Sequence, residues 1–523
     1  MQTQSTRNKD INTEKYSTDA SIFKIKPNNV HTAEDIFELQ DFVMKSKHIT
    51  ARAAGTCMSG GSLTEFDMVD ITNLNKILEI NSEDKNNGYA YVESGILYRD
   101  LESALKKDDM FFAPYTSSKN ICSLGGMLGN NASGEKSLTY GATVKNILEV
   151  EMLMHTGEII IFKEISEQEV LQKIENKDNT ISKLESNIYK NIFHIYNQNK
   201  ELIKFKRPHS TKVAAGYNIF DIYNENKKTW SLIPIIIGSQ STLGIITKVK
   251  IKTYPILPYS YMAVIATDHI HDLPKIVKTC VDHKSTSVEC YDDNTYKLAI
   301  VHMKKDADLA NISKNKKITI IAEFCGNDEE EIKSKVKNLI EDIQKNNPSL
   351  VNSTHEVNND DERNAYWNIR RASFALLRDF SPSTHRAIPI IEDTIVSIDL
   401  YDQFLNELLE ILYKYDMTYT YAGHIGEGSI RLIPLIKKDT LNANEIIFKM
   451  AEEVYKLVAK YKGSISTDHN DGLARSYYLK EFYGDEFYKI IKSIKETFDP
   501  ENKFNPGKKV NGDREFAKSK ISL

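Results

Sequence analysis

The chain has 523 residues, 41% of them hydrophobic and 27% charged, and a formal net charge of −5. It exceeds the ~250–300 residues that one hydrophobic core serves, so two or more domains are expected. The composition excludes a disordered acidic chain, and a pI near 6.3 with scattered lysines excludes the basic stripe of a nucleic-acid binder.

The first twenty residues, MQTQSTRNKDINTEKYSTDA, lack the apolar stretch of a secretory signal, and no run approaches the ~18 apolar residues of a membrane span. The reading is a cytoplasmic protein, with peripheral contact at the inner face of the membrane left open. Segments 66–72, 90–95 and 147–154 read as strands, the last running into the turn His155-Thr156-Gly157. The lysine- and glutamate-rich stretch 163–206 reads as helices with polar faces. A domain boundary is placed near Pro255, giving domains 1–255 and 256–510 and a tail 511–523. Beyond it, strand 261–266, helix 273–281 and strand 287–291 make one unit. Strand 317–324, helix 330–345, strand 388–398, helix 401–415 and strand 418–422 repeat the order. An antiparallel sheet backed by helices, α+β overall, is expected. From 440 onward the chain is mainly helical. Five cysteines, Cys57, Cys122, Cys280, Cys290 and Cys325, form no CxxC pair, which disfavours a disulfide framework or an iron–sulfur cluster.

Five of the 23 glycines fall in LGGMLGNNASGEKSLTYG at 124–141. Glycine contributes no packing, so such density points to positive-φ turns or to a ligand touching the main chain. Gly129 and Gly134 have Walker spacing, but Glu135 intervenes before Lys136 and Ser137 and sets a carboxylate where phosphate should sit. The Rossmann GxGxxG pattern is absent.

Three loops taken together, ARAAGTCMSGG at 51–61, the glycine cluster with the preceding APYTSSKNICS, and GSQSTLGIIT at 238–247, resemble the FAD-binding domain of the vanillyl-alcohol oxidase, or PCMH-type, flavoproteins. The likeness runs from Tyr16-Ser17-Thr18-Asp19 to Asn505-Pro506-Gly507. It implies a PCMH-type FAD-binding domain followed by an FAD-linked oxidase C-terminal domain built on a ferredoxin-like sheet. By the resemblance, Ala53, Ala54, Gly55, Thr56, Cys57, Met58, Ser59 and Gly60 wrap the pyrophosphate with backbone amides, an anion nest that needs no lysine. Pro114, Ser118, Gly125, Gly126, Gly129, Asn130 and Gly134 line the flavin and ribityl chain, Gly244 and Thr247 lie near the adenine half, and Asn505 lies near the flavin. Gln240 and Ser241 stand where the family has Glu and Gly. No histidine occurs in the first loop, so FAD is expected to be noncovalent.

Two glycine-flanked histidines, His424 in YAGHIGEGSIR and His469 in STDHNDGLARS, are candidate proton carriers. With IPIIEDTIV and FDPENKFNPGK, these segments resemble the flavin-linked D-lactate, glycolate and D-2-hydroxyglutarate dehydrogenases, especially the FAD portion of larger FAD and iron–sulfur fusion proteins. The resemblance implies oxidation of a small 2-hydroxy acid, with His469 taking the hydroxyl proton and hydride passing to the flavin. Electrons then leave to a separate acceptor, whether protein, quinone or oxygen. Arg386 is the candidate carboxylate clamp. Relatives hold a divalent metal at positions that here read His424, Arg431 and Asp468. A zinc or manganese ion would thus have His424 and Asp468, with Glu427 or Glu392 as a third ligand. Without metal, Arg431 is placed to neutralise substrate charge. A flavin oxidase acting on another alcohol, and an FAD-binding electron-transfer or scaffold subunit, stay open as rival readings.

Overall fold

The computed structural model describes residues 13–177, 179–380, 383–415 and 417–522. Residues 1–12, part of the segment read above for a leader, lie outside the described residues. Among the described residues, no helix is long and apolar enough to cross a membrane.

The first half contains two principal sheets. Val30–Thr32, Asp67–Asp70 and Ile49–Arg52 form a three-stranded parallel sheet in that order. Ile77–Asn81, Tyr89–Glu93, Ile245–Lys252, Ile147–Leu153 and Ile159–Lys163 form a five-stranded antiparallel one. Late in sequence yet central in this sheet, Ile245–Lys252 carries the loop before it to the glycine cluster. There Gly238 N donates to Leu128 O (2.9 Å) and Gln240 N to Gly129 O (3.0 Å). The lysine-rich stretch is helical as expected: Ser166 and Glu169 make a capping box on Glu167–Glu175, and Ser182 caps Lys183–Gln198.

Tyr254–Pro255 still pairs with Met110–Phe111, and the second sheet starts at Tyr259. That sheet is antiparallel throughout, in the order Thr354–Val357, Tyr259–Thr267, Ile318–Gly326, Ser287–Asp292, Thr418–Gly423, Ser429–Lys437 and His385–Ala387. Its strands alternate with period two between two cores. Ala263 and Ile265 pack with Leu273, Ile276 and Val336 of the helices Leu273–Asp282 and Glu329–Asn346. Met262 and Val264 pack with Tyr366 and Trp367 of the helix Asp360–Phe380. Helices therefore back both faces, the second through an element the sequence pattern did not reveal.

Segment 388–398 is not one strand. Only Thr394–Ile395 pairs, on Ser429–Lys437, and turns precede it. Adjacent residues of a strand point to opposite faces, whereas Glu392 and Asp393 are both buried and both turn toward segment 466–475. Two neighbouring carboxylates needing partners on one side require a bend.

After the helix Ala443–Lys460 the chain returns to the first half. The helix Asp485–Phe498 stacks Phe487 on Phe220 and brings Phe498 to Phe162. Phe504 joins the core around Ile49 and Val69, and Asn505 N donates to Ile49 O (2.7 Å). Buried lysines tie this segment down by donating to carbonyls: Lys495 to Thr242 O (2.6 Å), Lys508 to Leu63 O (2.6 Å), and Lys509 to Ala214 O (2.6 Å) and Gly216 O (2.7 Å). The step at Pro255 thus separates two sheets but not two independent bodies.

Candidate active site

Two cavities, of about 570 and about 70 Å³, meet where the three loops converge, and share Gly55, Thr56, Gly126 and Asn130 in their walls. The first loop leaves the strand Ile49–Arg52 through Gly55 (φ +72°) and Gly60 (φ +75°). Along it the backbone N–H groups of residues 55 to 58 and of Gly60 find no acceptor among the described residues, while Ala54 N donates to Ser123 Oγ (3.2 Å), and Ser59 N and Gly61 N both donate to Cys57 Sγ, the latter at 3.4 Å. Successive unpaired amides make an anion nest.

The glycine cluster divides into two kinds. Gly125 and Gly134 are demanded by packing: a Cβ would lie 2.8 Å from Ser94 O and 1.7 Å from Tyr115 O respectively. At Gly126 and Gly129 the nearest protein atom to such a Cβ is 3.8 Å away, and both residues face the cavities. Neither has positive φ, since both lie in the short helix Leu124–Asn130. Glycines in a helix that no neighbour requires, beside a nest of free amides, fit a pyrophosphate-bearing flavin resting on the backbone. Burial, reinforced by the charge of Asp19, pushes the Cys57 thiol up, which disfavours a thiolate bond to the ring.

Of the other residues singled out above, Ala53 and Cys57 line the smaller cavity, and Ala54, Met58 and Ser118 the larger. Ser59 turns away, its Oγ donating to His469 O (2.9 Å), and Gly60 lies under Phe23 and Leu473. Pro114 is buried. Gly244 and Thr247 serve the five-stranded sheet: a Cβ at Gly244 would meet Leu153 O at 2.8 Å, and Thr247 Oγ1 donates to Glu151 Oε1 (2.8 Å). Asn505 joins the loops from behind, donating from Nδ2 to Gly61 O (2.9 Å) and Gln240 O (2.7 Å) and accepting from Thr50 Oγ1 (3.1 Å). Gln240 and Ser241 adopt left-handed conformations (φ +52° and +55°). The Gln240 side chain spans to Asn130 Oδ1 (3.1 Å) and Gly472 N (2.8 Å).

On the larger cavity's wall His469 Nδ1 meets Glu392 Oε1 at 2.9 Å, and the same oxygen accepts from Arg475 Nη2 (2.9 Å). Burial would raise the Glu392 carboxyl, but the Arg475 charge and the His469 contact hold it at about 2. An anionic Glu392 requires a proton on His469 Nδ1, so in the neutral ring the lone pair lies on Nε2. The loop is set by Asp393, whose carboxylate accepts from Thr467 N (2.9 Å), Asp468 N (3.0 Å), His469 N (3.1 Å) and Asn470 N (3.1 Å).

Arg386 does not reach this cavity. It pairs with Ile436, and Ile430, Leu432 and Ile436 face the helix-backed core, whereas Arg431 and Ile433, of opposite parity, line the cavity. The cavity's cations include Arg371, Arg378 and Arg431. His424 is buried behind Arg431, with Nδ1 on Glu289 Oε1 (2.6 Å).

The metal ligands expected from sequence do not fit a resident ion. The Arg431 guanidinium lies among them, bonded to His424, His469 and Asp468. Glu427 is paired with Lys212, and Glu392 is taken by His469 and Arg475. Asp393, Asp468 and His469 do approach within 4.8 Å of one another, but Asp393 is saturated by backbone donors.

Comparison with known proteins matches residues 258–509 to the family model described as FAD linked oxidases, C-terminal domain, and residues 28–163 to that described as FAD binding domain. D-2-hydroxyglutarate dehydrogenase of Pseudomonas putida is 27% identical over 88% of this chain and 45% of its own length. D-lactate dehydrogenase of Anaerostipes hadrus is 23% identical over 88% of this chain and 84% of its own. The chain spans about half the length of the D-2-hydroxyglutarate dehydrogenase. Among solved structures, p-cresol methylhydroxylase superposes with a TM-score of 0.66 at 14% identity, covering 96% of this chain and 93% of the other.

Proposed function

We propose that this chain, which belongs to the PCMH-type FAD linked oxidases and takes FAD as its cofactor, oxidises a small 2-hydroxy acid of D configuration to the 2-oxo acid. The observation that carries the reading is the Glu392–His469 pair, 2.9 Å apart, on the wall of the cavity that the nest and the ligand-facing glycines also line. When bound, noncovalently in this reading, FAD supplies the acceptor for the hydride that leaves C2. His469 Nε2, its lone pair fixed by the proton on Nδ1, accepts from Arg431 Nη1 (2.9 Å) in the resting site; once the substrate hydroxyl takes that donor's place, Nε2 takes the hydroxyl proton and the C2–O bond becomes a carbonyl. Glu392 and Asp468 offset the charge that His469 gains, and Arg475 keeps Glu392 anionic and in place. Arg371, Arg378 and Arg431 give the substrate carboxylate cations to meet; Arg386 has no part. Electrons leave to a separate acceptor, protein, quinone or oxygen. The working place is the cytoplasm, at the membrane's inner face if that acceptor is a quinone.

Anaerobic titration of the purified flavoprotein with D-lactate, L-lactate, glycolate and D-2-hydroxyglutarate tests the reading. Bleaching of the flavin band by one of these acids is expected. A flavin unmoved by all of them would refute it and favour another alcohol or a noncatalytic subunit.

A further inference from the structure

Three side chains converge on Arg431. Its Nη1 lies 2.9 Å from His469 Nε2, its Nη2 lies 2.9 Å from His424 Nε2, and Nη2 also pairs with Asp468 Oδ2. A guanidinium only donates, so both imidazoles must accept through Nε2 and carry their protons on Nδ1. There each meets a carboxylate: Glu289 at 2.6 Å from His424, and Glu392 at 2.9 Å from His469. Both carboxylates are anchored by a further arginine, Arg370 on Glu289 and Arg475 on Glu392. Carboxylate, histidine and central cation in line is how proteins orient histidines toward a metal. Two imidazole lone pairs and one carboxylate oxygen around a point form a ligand set for a divalent ion, yet a guanidinium fills that point.

The placement is built into the fold. Arg431 lies on Ser429–Lys437, pairs with Ala422 and shares the cavity face with Ile433. Asp468 is held from two sides, accepting from Ser133 Oγ (3.0 Å) as well as from Arg431, while Lys212 Nζ donates to Ser133 Oγ (2.7 Å). Arg431 Nε is buried and has no acceptor among the described residues, so this cavity-lining side chain keeps one donor for an incoming oxygen.

We propose that Arg431 is the resident cation of this site: it stands in place of a divalent metal, fixes the tautomers of His424 and His469 in the resting protein, and presents Nε to an oxygen of the substrate. The chain then works without metal, and shortening Arg431 opens a metal site. The contact with substrate rests on the 2-hydroxy acid reading; the exclusion of metal does not.

The test uses the FAD-loaded protein and Co(II) alone as probe. Wild type is expected to carry far less than one equivalent of zinc or manganese per flavin, to keep its activity after dialysis against EDTA, and to show no visible d–d bands with Co(II). R431H, which sets a third imidazole beside His424 and His469, is expected to bind one Co(II) about tenfold or more tighter than wild type, with d–d bands that R431H/H424Q loses. R431K, which keeps the positive charge, is expected to stay blind to cobalt. A stoichiometric metal in wild type whose removal abolishes activity would overturn the proposal. So would an R431H protein that retains FAD and takes up no more cobalt than wild type. If R431H does not hold FAD, the wild-type metal content and EDTA result decide alone. Cobalt binding needs no substrate, so its outcome is independent of whether any hydroxy acid bleaches the flavin.

Discussion

Gly126 separates a glycine kept for a ligand from one kept for the fold. A methyl group there would stand 3.8 Å from Ser123 Oγ and 4.0 Å from Ala53 Cβ, ordinary contact, in the helix Leu124–Asn130. Removing a helical glycine gains about 0.5–1 kcal/mol from the reduced entropy of the unfolded chain, so G126A without FAD should unfold at a higher urea concentration than wild type. The same methyl intrudes on the wall common to both cavities. Inserting one into a filled site costs about 1–3 kcal/mol, which is about a 5- to 150-fold rise in Kd for FAD. Apoprotein stability by urea titration and FAD affinity by calorimetry should move in opposite directions. G134A is the control, because its Cβ would lie 1.7 Å from Tyr115 O and it should lose stability with or without FAD. A G126A protein that binds FAD as wild type does, or whose apo form is weakened, would refute the assignment of this backbone to the flavin.

H469Q should retain the flavin spectrum while substrate-driven reduction slows by about 10²–10⁴-fold in anaerobic stopped flow. N505A leaves Gly61 O and Gln240 O without their donor, at about 1–3 kcal/mol per buried unsatisfied group. Both the urea midpoint and FAD retention on gel filtration should fall. Buried Glu135 would be raised by burial, but Arg371 and Lys136 hold it at about 2, below its ordinary 4.5. A depressed carboxyl stabilises the fold above pH 4.5 and loses that contribution as pH falls toward 2, about 3 kcal/mol in all, some 2 of it gone by pH 3. Wild type should therefore lose about that much more than E135Q between pH 6 and pH 3 in denaturant titrations.

The cofactor loops were legible because their evidence is local. The three loops stand out within a dozen residues each by their glycines and small side chains, although sequence did not show that 124–130 is a helix and could not tell Gly134, required by Tyr115 O, from Gly126, required by nothing in the protein. His469 was legible from its setting in STDHNDGLARS. Arg386 was misplaced because its face depends on a register with Ser429–Lys437, a strand the sequence pattern does not mark. Glu289, Arg370, Asp393 and Arg475 went unseen, since their partners are remote in sequence. A signal did exist for Glu289: it stands between Val288 and Cys290 in a strand every residue of which is buried, where a carboxylate needs a reason. Arg431 could be read as a departure from relatives, but its three-way contact needed three segments brought together.

The carboxy-terminal lysines and Asn505 have a consequence for how the protein is made. The carbonyls that they cap belong to loops synthesised far earlier, Leu63 and Gly61 among them. At ~5–20 residues per second on the ribosome, those loops wait for residues 495–509 before their hydrogen bonds close. The amino-terminal half, expressed by itself, would lack these fasteners, and the flavin would be captured only after residues 495–509 have left the ribosome.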